Sequence, residues 1–96
     1  MSLRFEWDVA KAAANRRKHK IGFDEASTVF SDPFAVIFDD ERHSQDERRE
    51  IIIGHSIKDR LLVVAFTERS AKLVRIISAR KATKRERTGY EEGTNR

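Results

Sequence analysis

The 96-residue sequence contains no cysteine, which removes disulfides, thiolate metal sites and a cysteine nucleophile together. The fold must rest on an ordinary apolar core, and a cytoplasmic location is expected. No stretch approaches the ~20 apolar residues that a spanning helix needs, and no signal-type apolar segment follows residues 1–4. Neither membrane insertion nor export is expected. Phosphate-loop, dinucleotide-fingerprint and H-E-x-x-H motifs are missing, and Ser44, Ser56 and Ser78 lie in no nucleophile-elbow sequence. His43 beside Asp39, Asp40 and Asp46 fits no established ligand spacing, so neither a metal nor a cofactor is expected. Repeats and linkers are absent too. A chain this short cannot fill two cores, and residues 1–96 read as one domain.

What the sequence does have is charge, at 38% of residues, together with Ile/Leu/Val blocks that argue against disorder. The net +4 is unevenly spread. Residues 1–31 hold six basic and four acidic side chains, residues 32–68 five and nine, and residues 69–96 nine and three. The two ends are basic and the middle is acidic. A fold that joined the ends would offer a cationic surface to phosphates and leave the middle for a basic partner.

Alternation over residues 3–7 predicts a strand, and Asp8 is placed to cap a helix running to about residue 20. Ala10, Ala13 and Ala14 give that helix a small apolar side suited to lie against a sheet. A second helix over residues 24–31 buries Phe23, Ala26, Val29 and Phe30, and Asp32-Pro33 stops it. Strands follow at residues 35–39, 49–55, 61–68 and 73–80, the last three joined by hairpin-length connections. Residues 61–66 are apolar on both faces and belong at the sheet's centre. Thr83-Lys84-Arg85-Glu86 has the form of a capping box and opens a last helix to about residue 92. Ser44-Gln45-Asp46-Glu47 could cap a turn in the polar loop of residues 39–47. The expected fold is α+β: a small antiparallel sheet with two N-terminal helices and one C-terminal helix packed on it.

On the first helix Lys11, Asn15 and Lys18 or His19 fall at helical spacing on one face, with the alanines on another. Read blandly, this is the solvated side of an amphipathic helix. In the last strand, alternation sets Val74, Ile76, Ser78 and Arg80 on one face and Leu73, Arg75, Ile77 and Ala79 on the other. Arg75 and Arg80 can then be oriented by the sheet to clamp phosphate, with Arg69 adding a third cation. The structural alternative is a cross-strand pair of Arg75 with Glu50 or Glu68. Histidine, lysine and arginine are the groups that metal-free RNA cleavage needs, and histidine's reference pKa near ~6.5 suits proton transfer at neutral pH. Composition alone does not separate cleavage from simple RNA binding.

Phe5-Glu6-Trp7-Asp8, Lys11, Asn15, Lys18-His19, Phe23-Asp24-Glu25-Ala26 and Phe30-x-Asp32-Pro33 resemble the opening signature of the BrnT family of type II toxins. Glu47-Arg48-Arg49, Ile53-Gly54, Phe66-Thr67-Glu68-Arg69, the run from Arg75 through Ile76-Ile77-Ser78-Ala79-Arg80-Lys81-Ala82, Glu86 and Tyr90 continue it over residues 5–91. The resemblance implies a RelE-like fold and a ribonuclease toxin that inhibits translation. It also implies neutralisation by a cognate BrnA-like antitoxin, a homodimer within the complex, and contact with DNA only through the antitoxin. Lys11, His19, Arg69 and Arg80 are the catalytic candidates, with Lys18, Lys81 and Tyr90 as RNA-binding candidates and Glu68 behind them. Lys20 stands where the family usually has glycine. The competing reading is a non-catalytic RNA-binding or partner-binding module. It is disfavoured because Phe5, Phe23, Phe30 and Phe66 occupy core-type positions instead of interleaving with the cations to stack bases.

Overall fold

The computed structural model describes residues 3–43 and 47–94 and orders them as β1 (Arg4–Glu6), α1 (Val9–His19), α2 (Phe23–Thr28), a 3-10 turn (Val29–Ser31) and β2 (Val36–Asp39). A second 3-10 turn (Glu41–His43), β3 (Glu50–His55), β4 (Leu61–Ser70), β5 (Leu73–Lys81) and α3 (Lys84–Thr94) complete it. The local signals at the helix ends act as the sequence predicts. Asp8 accepts from the Lys11 N–H at 3.0 Å, an N-cap that satisfies one free donor of the first turn. At α3, the Glu86 N–H donates to Thr83 Oγ1 at 3.1 Å while the Thr83 N–H donates to Glu86 Oε1 at 2.8 Å. These two bonds are the reciprocal pair of a capping box. The turn expected at residues 44–47 falls largely outside the described residues.

The strand order is β1-β5-β4-β3-β2, with β4 at the centre. From β2 to β5 neighbouring strands are antiparallel, but β1 lies parallel to β5, Phe5 facing Val74. The sheet is therefore mixed, which corrects the expectation of an antiparallel one. Tight hairpins force alternation from β3 to β5, whereas β1 reaches β5 only through the whole intervening chain and is under no such constraint.

Alternation along the strands sends one set of side chains to each face. Leu62, Val64 and Phe66 of β4 meet Ile21, Phe23, Ala26 and Val29 from the α1–α2 segment in the main core. Phe30 packs edge-on against Phe66 at 5.0 Å and tilted against Phe5 at 5.2 Å, and Trp7 anchors on Phe23 at 6.0 Å. Leu61 and Val63 point the other way, into a smaller cluster with Ile53 and Tyr90 of α3. Gly54 is needed where β3 passes under the chain turn: a Cβ there would meet Ala35 Cβ at 2.9 Å and Asp32 Oδ2 at 3.0 Å.

One face assignment is reversed. Ala10, Ala13 and Ala14 are exposed, and α1 turns Ala12, Asn15 and His19 inward instead. The helix follows its one strong polar anchor, because a buried amide with its bonds made outweighs the small area that alanine methyls offer.

Candidate functional site

Along β5 the pairing with β4 slips by one residue: Phe66 faces Ile76 while Ala65 faces Ser78, leaving Ile77 as a bulge. A bulge shifts every later side chain to the opposite face from simple alternation. Ala79 consequently joins Val74 and Ile76 in the main core, and Arg80, opposite Val63, faces α3. Lys81, opposite Leu62, returns to the α1 side. The expected grouping of Arg80 with Val74 and Ile76 is corrected for this reason.

β1 ends at Glu6, paired with Arg75, so beyond it β5 has no strand neighbour on that side. Asn15 fills the gap. Its Nδ2 donates to Ala79 O at 2.9 Å and to Ile21 O at 3.0 Å, and its Oδ1 accepts from the Ala79 N–H at 3.0 Å. A side-chain amide thus stands in for the missing backbone and clamps α1 to the open edge of β5. Lys11 and His19 lie one turn to either side of Asn15, Lys18 beside His19, and Lys81 two residues past the clamped Ala79. Lys11, Lys18 and Lys81 are exposed and make no ion pair among the described residues, and His19 is half-buried. After His19 the chain turns at Lys20, whose φ of 63° is left-handed. The glycine-favouring geometry is kept although the residue is lysine.

The arginine candidates are differently placed. Arg80 forms a two-point ion pair with Glu86, Nη1 to Oε1 and Nη2 to Oε2 both at 2.8 Å. The Arg80 guanidinium and the Thr83 N–H hold the Glu86 carboxyl down to about 2 against its burial. Arg69 sits at the far end of β4 between Glu47 at 3.2 Å and Glu6 at 3.9 Å. Six residues along β4 separate it from Val63, the partner of Arg80, which is roughly 20 Å of strand. Arg75 pairs with Glu6 of the adjacent β1 at 2.8 Å, not with Glu50 or Glu68. The structure therefore sets Lys11, Lys18, His19 and Lys81 along the α1–β5 edge, puts Arg80 and Tyr90 on the α3 face, and leaves Arg69 and the exposed Glu68 at the β1 end of the sheet, where Glu6 links Arg69 to Arg75.

On the α3 face, Tyr90 donates its hydroxyl to Asp32 Oδ2 at 2.9 Å, and burial together with this bond pushes its pKa to about 12. Asp32 also accepts from the N–H groups of His55 at 2.8 Å and Phe34 at 2.9 Å. Burial pushes this carboxyl up, but the three donors outweigh it and hold it below its ordinary value. The His55 ring packs edge-on against Tyr90 at 5.4 Å, its Nδ1 3.8 Å from Asp32. Buried Glu25 receives Arg60, through Nε at 2.8 Å, and the Ser56 hydroxyl at 2.7 Å, which fixes the β3–β4 hairpin. Sequence reasoning missed this network. Pairs 58 and 35 residues apart leave no local spacing to read.

Among the described residues no group of three histidine, aspartate or glutamate side chains gathers as a metal site, and no helix is long and apolar enough to cross a membrane. Among solved structures, the chain is similar to the 1.1 Å crystal structure of the Brucella abortus ribonuclease toxin BrnT. The TM-score is 0.65 at 22% identity, over 86% of this chain and 100% of that one. The likeness establishes a shared fold. No curated protein sequence matches the chain significantly. The family model described as ribonuclease toxin, BrnT, of type II toxin-antitoxin system matches residues 7–86. That span contains α1, the whole sheet beyond β1 and the Asn15 clamp, and the chain belongs to the BrnT family of ribonuclease toxins.

Proposed function

We propose that this toxin is a metal-independent endoribonuclease that receives RNA on the α1–β5 edge and so inhibits translation in the cytoplasm. The observation that carries the reading is the set of unpaired cations around a rigid clamp: Lys11, Lys18 and Lys81 flank Asn15–Ala79, whereas Arg69, Arg75 and Arg80 are each neutralised by a carboxylate. Phosphate binding at these arginines would first have to break an ion pair. Binding at the lysines breaks none.

In this reading Lys11, Lys18 and Lys81 hold backbone phosphates, and His19, fixed beside them by the turn at Lys20, moves the proton. The RNA 2'-oxygen attacks the adjacent phosphorus as its proton is taken, the 5'-oxygen leaves and is protonated, and a cyclic phosphate remains. The lysines offset the charge that builds on phosphorus. Arg80 and Tyr90 serve by fixing α3 to the sheet. The cognate antitoxin neutralises the toxin in an assembly holding two toxin copies, and reaches DNA on its behalf.

Incubation of purified protein with single-stranded RNA and with DNA of the same sequence tests this reading. RNA cleavage to 2',3'-cyclic ends in the presence of a chelator, with DNA left intact, supports it. Salt-sensitive RNA binding without products would instead favour a non-catalytic binding module.

A further inference from the structure

The described residues expose seven large apolar side chains, and four of them fall within five consecutive positions: Phe34 at 63%, Val36 at 45%, Ile37 at 51% and Phe38 at 45%. The other three are scattered singly. The cluster coincides with β2, which is the edge of the sheet and has no strand on its outer side among the described residues. Every residue of β2 is exposed, on both faces of the strand. Proteins blunt such edges with lysine, proline or a bulge. Here the strand is Val-Ile-Phe-Asp, with its proline left outside at position 33 and its register to β3 unbroken. An unblunted apolar edge is the template that an extended segment of another chain uses when it adds a strand.

Charge selects the occupant. Residues 36–50 hold six acidic and three basic side chains; Arg48 pairs with Asp39 at 2.8 Å and His43 with Asp40 at 2.9 Å, but with Glu41 beside them the stretch where the apolar run ends stays net negative. A second copy fits poorly. Antiparallel pairing of two β2 strands centred on Ile37 would set Val36 opposite Phe38, but also Asp39 opposite Ala35 and Asp40 opposite Phe34. Each carboxylate, held by Arg48 or His43 of its own chain, would then bring its ion pair over an apolar side chain. A partner strand that is apolar along residues 34–38 and basic beyond them satisfies both halves.

We propose that the outer edge of β2 is the docking site for an extended, apolar-then-basic segment of the antitoxin, which adds a sixth strand to the sheet. The inference rests on the reading of an antitoxin-neutralised toxin. It places the antitoxin's anchor at the edge strand farthest in the sheet from β1 and β5, so that the anchor and the RNA-facing lysines are separate surfaces.

The test uses the full chain and the antitoxin encoded beside it. Affinities are measured for the wild type, for Ile37→Lys and Phe38→Lys, and for Ile57→Lys, an exposed apolar residue away from the patch. Loss of about tenfold or more in affinity for the two β2 variants, with Ile57→Lys close to wild type, is expected for central anchor residues. Hydrogen exchange of the unsubstituted toxin adds a readout that no misfolded variant can confuse: the amides of residues 36–39 slow when the antitoxin binds. Unchanged exchange there in the complex overturns the proposal, as does wild-type affinity in both β2 variants. So does a toxin dimer that Ile37→Lys dissociates while antitoxin affinity stays intact, because the patch would then belong to a second copy. A wild-type toxin with no affinity for the antitoxin overturns the underlying reading, and this inference with it.

Discussion

Replacing Asn15 by alanine removes the clamp between α1 and β5 and leaves a buried backbone N–H at Ala79 without a partner. Two carbonyls, of Ala79 and Ile21, lose their donor as well. A stranded buried donor costs ~1–3 kcal/mol, and the under-satisfied carbonyls add to it, so a loss of about 3 kcal/mol is expected. That is a large share of the ~5–15 kcal/mol holding a domain together. Urea unfolding should show a lower midpoint at unchanged slope, and the melting temperature should fall by roughly 10–20 °C. Asn15→Asp sharpens the test. It keeps the acceptor for Ala79 N–H but sets a carboxylate against two carbonyls, so burial and repulsion raise its folded pKa above the unfolded value. Its penalty is then greatest at neutral pH and shrinks as pH falls through the raised pKa and the carboxyl regains a proton. Destabilisation below 1 kcal/mol in Asn15→Ala, or a pH-independent defect in Asn15→Asp, would refute the account of the clamp.

Further outcomes follow from the same geometry. Lys20→Gly should stabilise the fold by about 0.5–1 kcal/mol in thermal unfolding, since it relieves a left-handed residue at the loss of one exposed Lys20–Arg17 bond. Glu86 has a folded pKa below its unfolded one, so its contribution is present above about pH 4.5 and is lost as pH falls towards 2. Screening at the half-exposed Arg80 limits the contribution to ~1–2 kcal/mol, and acid titrations of Glu86→Gln should show that much less pH dependence. Tyr90→Phe should cost ~1–2 kcal/mol by removing the bond to Asp32, with little effect on RNA affinity. Arg69→Ala should leave cleavage within about threefold of wild type, because its partners are Glu6 and Glu47 at the opposite end of the hairpin.

Much of the architecture is legible in the sequence because its signals are local. Asp8 and the Thr83–Glu86 box cap helices through bonds three residues long, and hairpin-length gaps make β3, β4 and β5 neighbours. What is not legible depends on distant contacts. The parallel pairing of β1 has no turn to announce it. Asn15, preceded by exposed alanines and followed by exposed arginines, looks like part of a polar stripe until Ala79, 64 residues away, is known to lie beneath it. The bulge at Ile77 is an intermediate case. Buried positions 74, 76 and 79 break a two-residue period, and that spacing could have been read from the adjacent isoleucines before Ala79. Simple alternation without the bulge sets Arg80 on the α1 side of the sheet, whereas the bulge turns it towards α3.

The central claim is that RNA meets the cations of the α1–β5 edge and not the end of the hairpin where Arg69 lies. Cleavage of single-stranded RNA by His19→Ala, by a Lys18→Ala/Lys81→Ala double variant and by Arg69→Ala, each shown to be folded by circular dichroism, tests it most directly. The α1–β5 edge predicts that His19→Ala loses cleavage while still binding RNA, that the double variant loses affinity and salt dependence, and that Arg69→Ala behaves as wild type. Full cleavage by His19→Ala together with a dead Arg69→Ala would contradict it and move the reaction to the other end of the sheet.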